Sequence, residues 1–370
     1  MRIGITGQNG FIGYHLTQTI KYKRSDYTLV PFQRSLFEQE DSLSAFVSSC
    51  DVIVHLAGVN RAETDEEVYG ANIKLNTVLK KALINANFNG HLLFASSSQE
   101  KGDGLYGKAK KEAREFLEKT VNYLGGKFTG LIIPNVFGSF CKPNYNSFVA
   151  TFCSKIINNE APEVVQDANV SLLYVGNLVE QILEVIRDSK GSLFEIRPDL
   201  EVKVTEVLGL LNTFKDSYIG GNTIPSLQTP FEFQLFNTFR SYFDLENKYP
   251  TLLEKHSDQR GFFSELIRTE IGGQFSYSTT LPGITRGNHF HTRKIERFIV
   301  IGGKAKISLR KIGTTEVHEY LLDSENPSYV DMPIWYTHNI TNIGVTPLIT
   351  AFWINEPYNS EDADTYFENV

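Results

Sequence analysis

Apolar positions in the first half of the chain fall in short continuous runs, at residues 2–6, 28–32, 51–57, 91–95 and 130–134. Between them lie stretches with helical spacing, most clearly 66–86 and 107–124. A strand buried on both faces reads as a continuous apolar run. Its alternation with helices predicts a parallel, doubly wound sheet covered on both sides. Residues 177–188, 204–215 and 231–244 read as further helices. From about residue 248 the pattern changes to short β-rich runs at 262–268, 275–281, 296–301, 305–309, 316–322 and 347–352. Gly272-Gly273, Pro282-Gly283, Gly302-Gly303 and Gly313 punctuate them. Many short strands with such turns predict an all-β sandwich or barrel. The expected architecture is therefore an α/β domain over residues 1–245 and an all-β domain over residues 246–370.

Composition narrows the function. The 370 residues are 41% hydrophobic and 21% charged, which excludes a disordered or low-complexity chain. A formal charge of −7 argues against a nucleic-acid partner, whose binding surface carries a basic excess. No apolar run approaches the length that spans a bilayer, and the N-terminus lacks the pattern of a signal peptide. Cys50, Cys141 and Cys153 are too few for a disulfide framework. They fit buried thiols in a reducing compartment, so a cytoplasmic location is expected.

Two places carry chemistry. The first is Gly7-Gln8-Asn9-Gly10-Phe11-Ile12-Gly13, between the first strand and the first helix. Gly7 suits a tight turn, Gly10 a close backbone approach to a pyrophosphate, and Gly13 close helix–strand packing. An acidic residue at the end of the second strand would favour NAD. Here Arg34 follows Phe32-Gln33, and a cation there pairs with the 2′-phosphate of NADPH. Tyr106 and Lys110 open a helix at i and i+4 and so share a face. A neighbouring ammonium is expected to lower the tyrosine pKa, and such a tyrosine passes a proton to a carbonyl oxygen receiving hydride. Ser96-Ser97-Ser98 ends the preceding strand, where a hydroxyl can bond the same oxygen.

The second place lies among the five histidines beyond residue 250. His289 and His291 alternate on a strand, which points both rings to one side. Glu296 and His338 complete a set of three imidazoles and a carboxylate. That set suits one divalent ion per chain: zinc foremost, or Mn²⁺, Fe²⁺, Ni²⁺ or Co²⁺.

Residues 1 to about 245 resemble the extended short-chain dehydrogenase/reductases (SDRs) that act on nucleotide sugars. The resemblance rests on residues 7–13, the Asp51–Gly58 run with Ala57, Asn72, the serine run, the 106–110 motif, residues 133–138 and residues 171–182. It implies a Rossmann-type NADP-binding domain, cofactor contacts from the glycine turn, Ala57, Tyr106 and Lys110, and proton transfer by a serine with Tyr106 and Lys110. The serine is assigned to Ser98, with Ser97 as alternate. Asn135 matches a sugar-nucleotide contact.

Gly283, His289, His291, Glu296 and Gly303, followed by Pro333, His338 and Asn342, resemble the two cupin motifs, with Trp335 where a glycine is usual. That resemblance implies a metal inside a β-barrel. Residues 258–265 and 284–289 resemble dTDP-4-keto-sugar epimerases. There, arginines bind nucleotide-sugar phosphates, which makes Arg260 and Arg286 candidates. The histidine of that motif is a general base, and it coincides with His289 of the metal set.

Both halves together resemble bifunctional capsular-polysaccharide enzymes that join a reductase to a metal cupin epimerase. The implied substrate is a UDP-4-keto-6-deoxy-N-acetylhexosamine on the route to UDP-N-acetyl-L-fucosamine. The cupin would invert C3, and the reductase would then reduce C4 with NADPH. Sheet contacts between cupins imply a homodimer. The alternatives are a monofunctional reductase whose cupin only binds sugar or mediates dimerisation, and a nucleotide-sugar sensor.

Overall fold

A computed structural model describes residues 1–188, 191–253, 256–258, 261–263, 266–269, 273–356 and 359–370. The chain forms two compact units, residues 1–151 with 164–206, and residues 152–163 with 207–370.

The first unit is built on β1 (Arg2–Thr6), β2 (Thr28–Val30), β3 (Val52–His55), β4 (His91–Ser97) and β5 (Lys127–Ile133). With the short strand Leu193–Glu195 they make one parallel sheet, ordered β2-β1-β3-β4-β5 and then that strand. Five helices flank it: α1 (Phe11–Lys23), α2 (Glu40–Ser48), α3 (Asp65–Asn85), α4 (Leu105–Tyr123) and, later in the chain, Val175–Asp188. Strand residues alternate between two cores. Val52, Val54, Leu93 and Ala95 pack with Leu16, Ile20, Leu178 and Ile182 on one face. Ile53, Leu92 and Phe94 pack with Leu43, Leu79, Ala113 and Leu117 on the other. Continuous apolar runs are thus required because both faces are covered. Thr64 caps α3 in a reciprocal box with Glu67. The chain leaves β1 toward β2 on one side and β3 on the other. This switch point opens a crevice beyond the strands' carboxyl ends.

The second unit contains two five-stranded antiparallel sheets. One runs in the order Thr251–Leu252, Ser328–Met332, Glu296–Gly302, Leu348–Ile354, Gln274–Thr280. The other runs Val317–Asp323, Lys304–Lys311, Tyr336–Asn342, Thr285–Phe290, Tyr366–Phe367. Ile299, Ile307, Leu309, Tyr329, Val330 and Ala351 are central to its core. The run expected over 262–268 is represented by strands Gly261–Phe263 and Arg268–Thr269, with residues 264–265 between them outside the described set.

Residues 207–245 belong to this second unit, whereas the sequence pattern places the boundary after 245. The reason is tertiary. Arg240 Nη2 donates to the Met332 carbonyl at 3.1 Å, and Asn237 Nδ2 to that of Arg293 at 3.2 Å. The Tyr218 hydroxyl donates to Asp331, which also accepts from Arg297 at 2.8 and 3.1 Å. Helical periodicity marks an apolar face but not the sheet that covers it.

Candidate functional site

The crevice of the first unit has a volume of about 490 Å³. Gly7, Asn9, Gly10, Phe11, Ile12, Gly13, Ala57, Tyr106, Lys110 and Asn135 all line it, as do Ser96, Ser97 and Ser98. Gly7 has φ +77°, and a Cβ there would lie 2.9 Å from the Ala57 nitrogen. At Gly13 a Cβ would lie 2.1 Å from the Gly7 carbonyl oxygen. Gly10 precedes α1 and offers no side-chain cap, which leaves first-turn N–H groups for an anion. This cradle fits a dinucleotide pyrophosphate. Arg34 lies outside the lining, exposed at the start of the turn Arg34–Glu38. Gln8 Nε2 donates to the Phe32 carbonyl at 2.5 Å, which ties the segment before Arg34 to the glycine turn.

The three serines differ in engagement. The Ser96 hydroxyl donates to the Glu100 carboxylate, and Ser97 Oγ accepts from the Gln99 N–H at 3.2 Å. Ser98 is exposed, and its hydroxyl makes no hydrogen bond among the described residues. Burial pushes the Tyr106 phenol up to about 12, with nearby Tyr145 adding to the effect. Burial pulls Lys110 down to about 8, against the attraction of Glu100. The lowered tyrosine pKa expected from Lys110 is therefore reversed. Lys110 Nζ sits 4.9 Å from the Phe94 ring centre, and no ion pair or hydrogen bond links it to Tyr106 among the described residues. The phenol loses water without gaining an ammonium partner.

In the second unit, His289, His291, Glu296 and His338 bring one ligand atom each to within 4.8 Å of one another. Strand alternation brings His289 and His291 together, with ring centres 5.1 Å apart. A bulge then sets the cross-strand partner. Gly287 (φ +103°) and Asn288 (φ +59°) shift the register so that His289 faces His338 directly. Asn288 tolerates that left-handed backbone well, and Gly287 has no Cβ to strike the His338 carbonyl. His291 Nε2 lies 3.0 Å from Glu296 Oε2, and His338 Nε2 lies 3.3 Å from the same oxygen.

Burial alone would raise the Glu296 carboxyl, but His291 and His338 outweigh it and hold it well below the carboxylate range. Burial lowers His289 to about 4, helped by His338 and His291. His338 Nε2 is buried, and its 3.3 Å approach to Glu296 lacks the direction of a full hydrogen bond. An orphaned imidazole nitrogen aimed at two more imidazoles and a carboxylate is the donor set a divalent ion completes.

Of the two arginines, Arg286 is exposed and donates to the Thr279 carbonyl at 3.1 Å. Arg260 lies outside the described residues. Trp335, where the cupin resemblance expects a glycine, takes φ +61° and is buried, its ring stacked 5.6 Å from that of Phe290.

Residues 3–196 match the NAD dependent epimerase/dehydratase family, and residues 256–366 match the polysaccharide biosynthesis C-terminal domain. The chain belongs to the NAD dependent epimerase/dehydratase family. It is 34% identical over 369 residues to the UDP-2-acetamido-2,6-beta-L-arabino-hexul-4-ose reductase of Pseudomonas aeruginosa, covering 99% of this chain and 98% of that one. The crystal structure of the capsular polysaccharide assembling protein CapF from Staphylococcus aureus is similar over 100% of both chains, at 34% identity and a TM-score of 0.63. The spore coat polysaccharide biosynthesis protein SpsL of Bacillus subtilis is 31% identical over 124 residues, 30% of this chain and 81% of that one.

Against this family background, three contributions escaped the sequence reading. Tyr145 and Lys142 line the crevice. Glu100 binds both Ser96 and Arg114. In the second unit, the Asp364 carbonyl accepts from His291 Nδ1 at 2.5 Å, which turns Nε2 toward the cluster. The Asp364 carboxylate accepts from the backbone of Thr292 and Arg293. None of these has a local signal, because each partner is distant in sequence or belongs to no periodic pattern.

Proposed function

We propose that this chain is a bifunctional nucleotide-sugar enzyme: the first unit reduces the C4 ketone of a UDP-2-acetamido-2,6-dideoxy-hexul-4-ose with NADPH, and the second, a metal-holding cupin barrel, inverts C3 beforehand. The carrying observation is the convergence of the glycine cradle, Ser98, Tyr106 and Lys110 on one crevice at the switch point of the sheet. Near-full-length similarity to a UDP-hexulose reductase supports the substrate.

NADPH supplies the hydride when bound. Tyr106 then gives its proton to the C4 oxygen. A phenol pushed up to about 12 stays protonated at neutral pH, as a donor must. Lys110 offsets the charge left on the phenolate, and the free hydroxyl of Ser98 holds the same oxygen. Arg34 pairs with the cofactor 2′-phosphate, and Asn135 contacts the sugar nucleotide.

In the second unit, His289, His291, Glu296 and His338 would hold the metal, zinc foremost. A divalent charge there would supply stabilisation for a negative sugar oxygen. Arg260 and Arg286 are proposed as diphosphate contacts. The C3 proton is acidic because it lies α to the C4 carbonyl. Inversion therefore precedes reduction, which removes that carbonyl. Exposed Phe275 and Tyr277 on an edge strand support a homodimer through this unit.

The test uses the Tyr106→Phe variant and the parent chain in D₂O. Without NADPH, both should exchange deuterium into C3 of the UDP-4-keto sugar, followed by NMR. Only the parent should oxidise NADPH, since a positioned acid contributes roughly 10²–10⁴-fold. Reduction without C3 exchange would leave a monofunctional reductase, and near-full reduction by the variant would remove Tyr106 as donor.

A further inference from the structure

Glu100 stands in the short turn Ser98–Lys101, between the serines that end β4 and helix α4. Its carboxylate accepts from the Ser96 hydroxyl and from Arg114, whose Nε and Nη2 lie 3.1 and 3.0 Å away. The two side chains are only 13% and 8% exposed for Arg114 and Glu100. Bidentate geometry of this kind offsets the cost of burying both charges. The chain makes room for it. At Gly130 in β5 a Cβ would lie 2.5 Å from Arg114 Cδ. At Gly107 a Cβ would lie 2.1 Å from the Gln99 carbonyl oxygen, so the turn presses on the first turn of α4. Tyr106, Lys110 and Arg114 recur at i, i+4 and i+8, which stacks them along one helix face.

We propose that Glu100 and Arg114 are positioning residues of the reductase site: the pair clamps the serine turn onto the helix face of Tyr106 and Lys110, and the Glu100 carboxylate is the counter-charge of the Lys110 ammonium. This rests on the reductase reading above. Lys110 is 4% exposed, and burial alone would strip its proton more readily. Phe94 from β4, His55 from β3 and Asn72 from α3 neighbour it, Tyr106 and Arg114 lie one turn away on either side along its own helix, and Glu100 from the turn, held by Arg114, acts on it through its charge. His55 is held neutral by burial at about 3. Glu100 is thus the anion that favours the protonated lysine among the described residues.

The test reads kcat/KM against pH with NADPH and the UDP-4-keto sugar. Activity should fall at high pH as Lys110 loses its proton. Glu100→Gln removes the counter-charge, so that limb should move to lower pH by about one unit. Arg114→Met frees the carboxylate to act on Lys110 alone, so the limb should move to higher pH. Arg114→Lys should leave it in place. Ser96→Ala should lower kcat with the limb unmoved, and NADPH affinity should survive in all four. A purely structural pair would cost activity without opposite shifts, and that result overturns the proposal.

Should Glu100→Gln not fold, Glu100→Asp carries the same test, because it draws the carboxylate back by one methylene. NMR titration of Lys110 in lysine-labelled protein reads the same shifts without turnover. Absence of reduction by the parent chain would fail the reductase reading alone. Unmoved Lys110 titrations would fail this proposal alone.

Discussion

Replacing Gly287 by alanine should damage the proposed metal site without touching any of its four proposed ligands. Gly287 has φ +103°, well beyond the left-handed well that side chains tolerate. Holding a non-glycine residue there costs of order 1–3 kcal/mol. The added Cβ would also stand 2.8 Å from the His338 carbonyl oxygen and 3.0 Å from the Asn339 Cα, both backbone atoms that cannot rotate aside. Overpacking of that kind costs roughly 1–3 kcal/mol. Together these reach about 2–6 kcal/mol. The strand can relieve them only by moving Tyr336–Asn342 away or by losing the bulge. Either change separates His289 from His338, which are direct cross-strand partners. Metal affinity should fall about 10–100-fold, the range for lost support of a ligand. Chelator competition measures that fall, and urea unfolding with and without metal measures the stability. Asn288→Gly is the control, since it keeps the left-handed backbone and should bind metal as the parent does. Parent-like affinity and stability in Gly287→Ala would refute the assignment of the bulge as the device that pairs the two rings.

Arg34→Ala should erode a preference for NADPH over NADH, because a charge-assisted contact to the 2′-phosphate contributes about 1.5–3 kcal/mol; equal kcat/KM for both cofactors in the parent would remove Arg34 from the site. Acid should weaken the first unit through His55, whose pKa burial, then Lys110, lowers from about 6.5 to about 3. Between those values the unfolded chain binds the proton and the folded chain does not, so stability falls as pH drops through that window. Urea midpoints from pH 7 to pH 4.5 should fall more steeply in the parent than in His55→Asn, and identical slopes would contradict this.

Backbone periodicity made part of the molecule legible in the sequence. The two-residue repeat of a strand is enough to put His289 and His291 on one side, and the helical repeat is enough to align Tyr106 with Lys110. The glycines at 7, 10 and 13 are needed by the turn itself, whatever surrounds it. Partner choice between distant segments needed the folded chain. His338 meets His289 only because a bulge at Gly287-Asn288 resets the register. Trp335 keeps a backbone that glycine would adopt freely, and only its packing on Phe290 shows what offsets the strain. Helices over 207–245 show apolar faces in the sequence, yet Asp331, Arg297 and Met332 decide which unit they join. The charge state of Tyr106 could not be read from its spacing to Lys110, since burial acts on the phenol more strongly than a lysine turned toward Phe94. Spacing is a local property of one segment, whereas burial and Coulomb interactions sum over neighbours that only tertiary packing assembles.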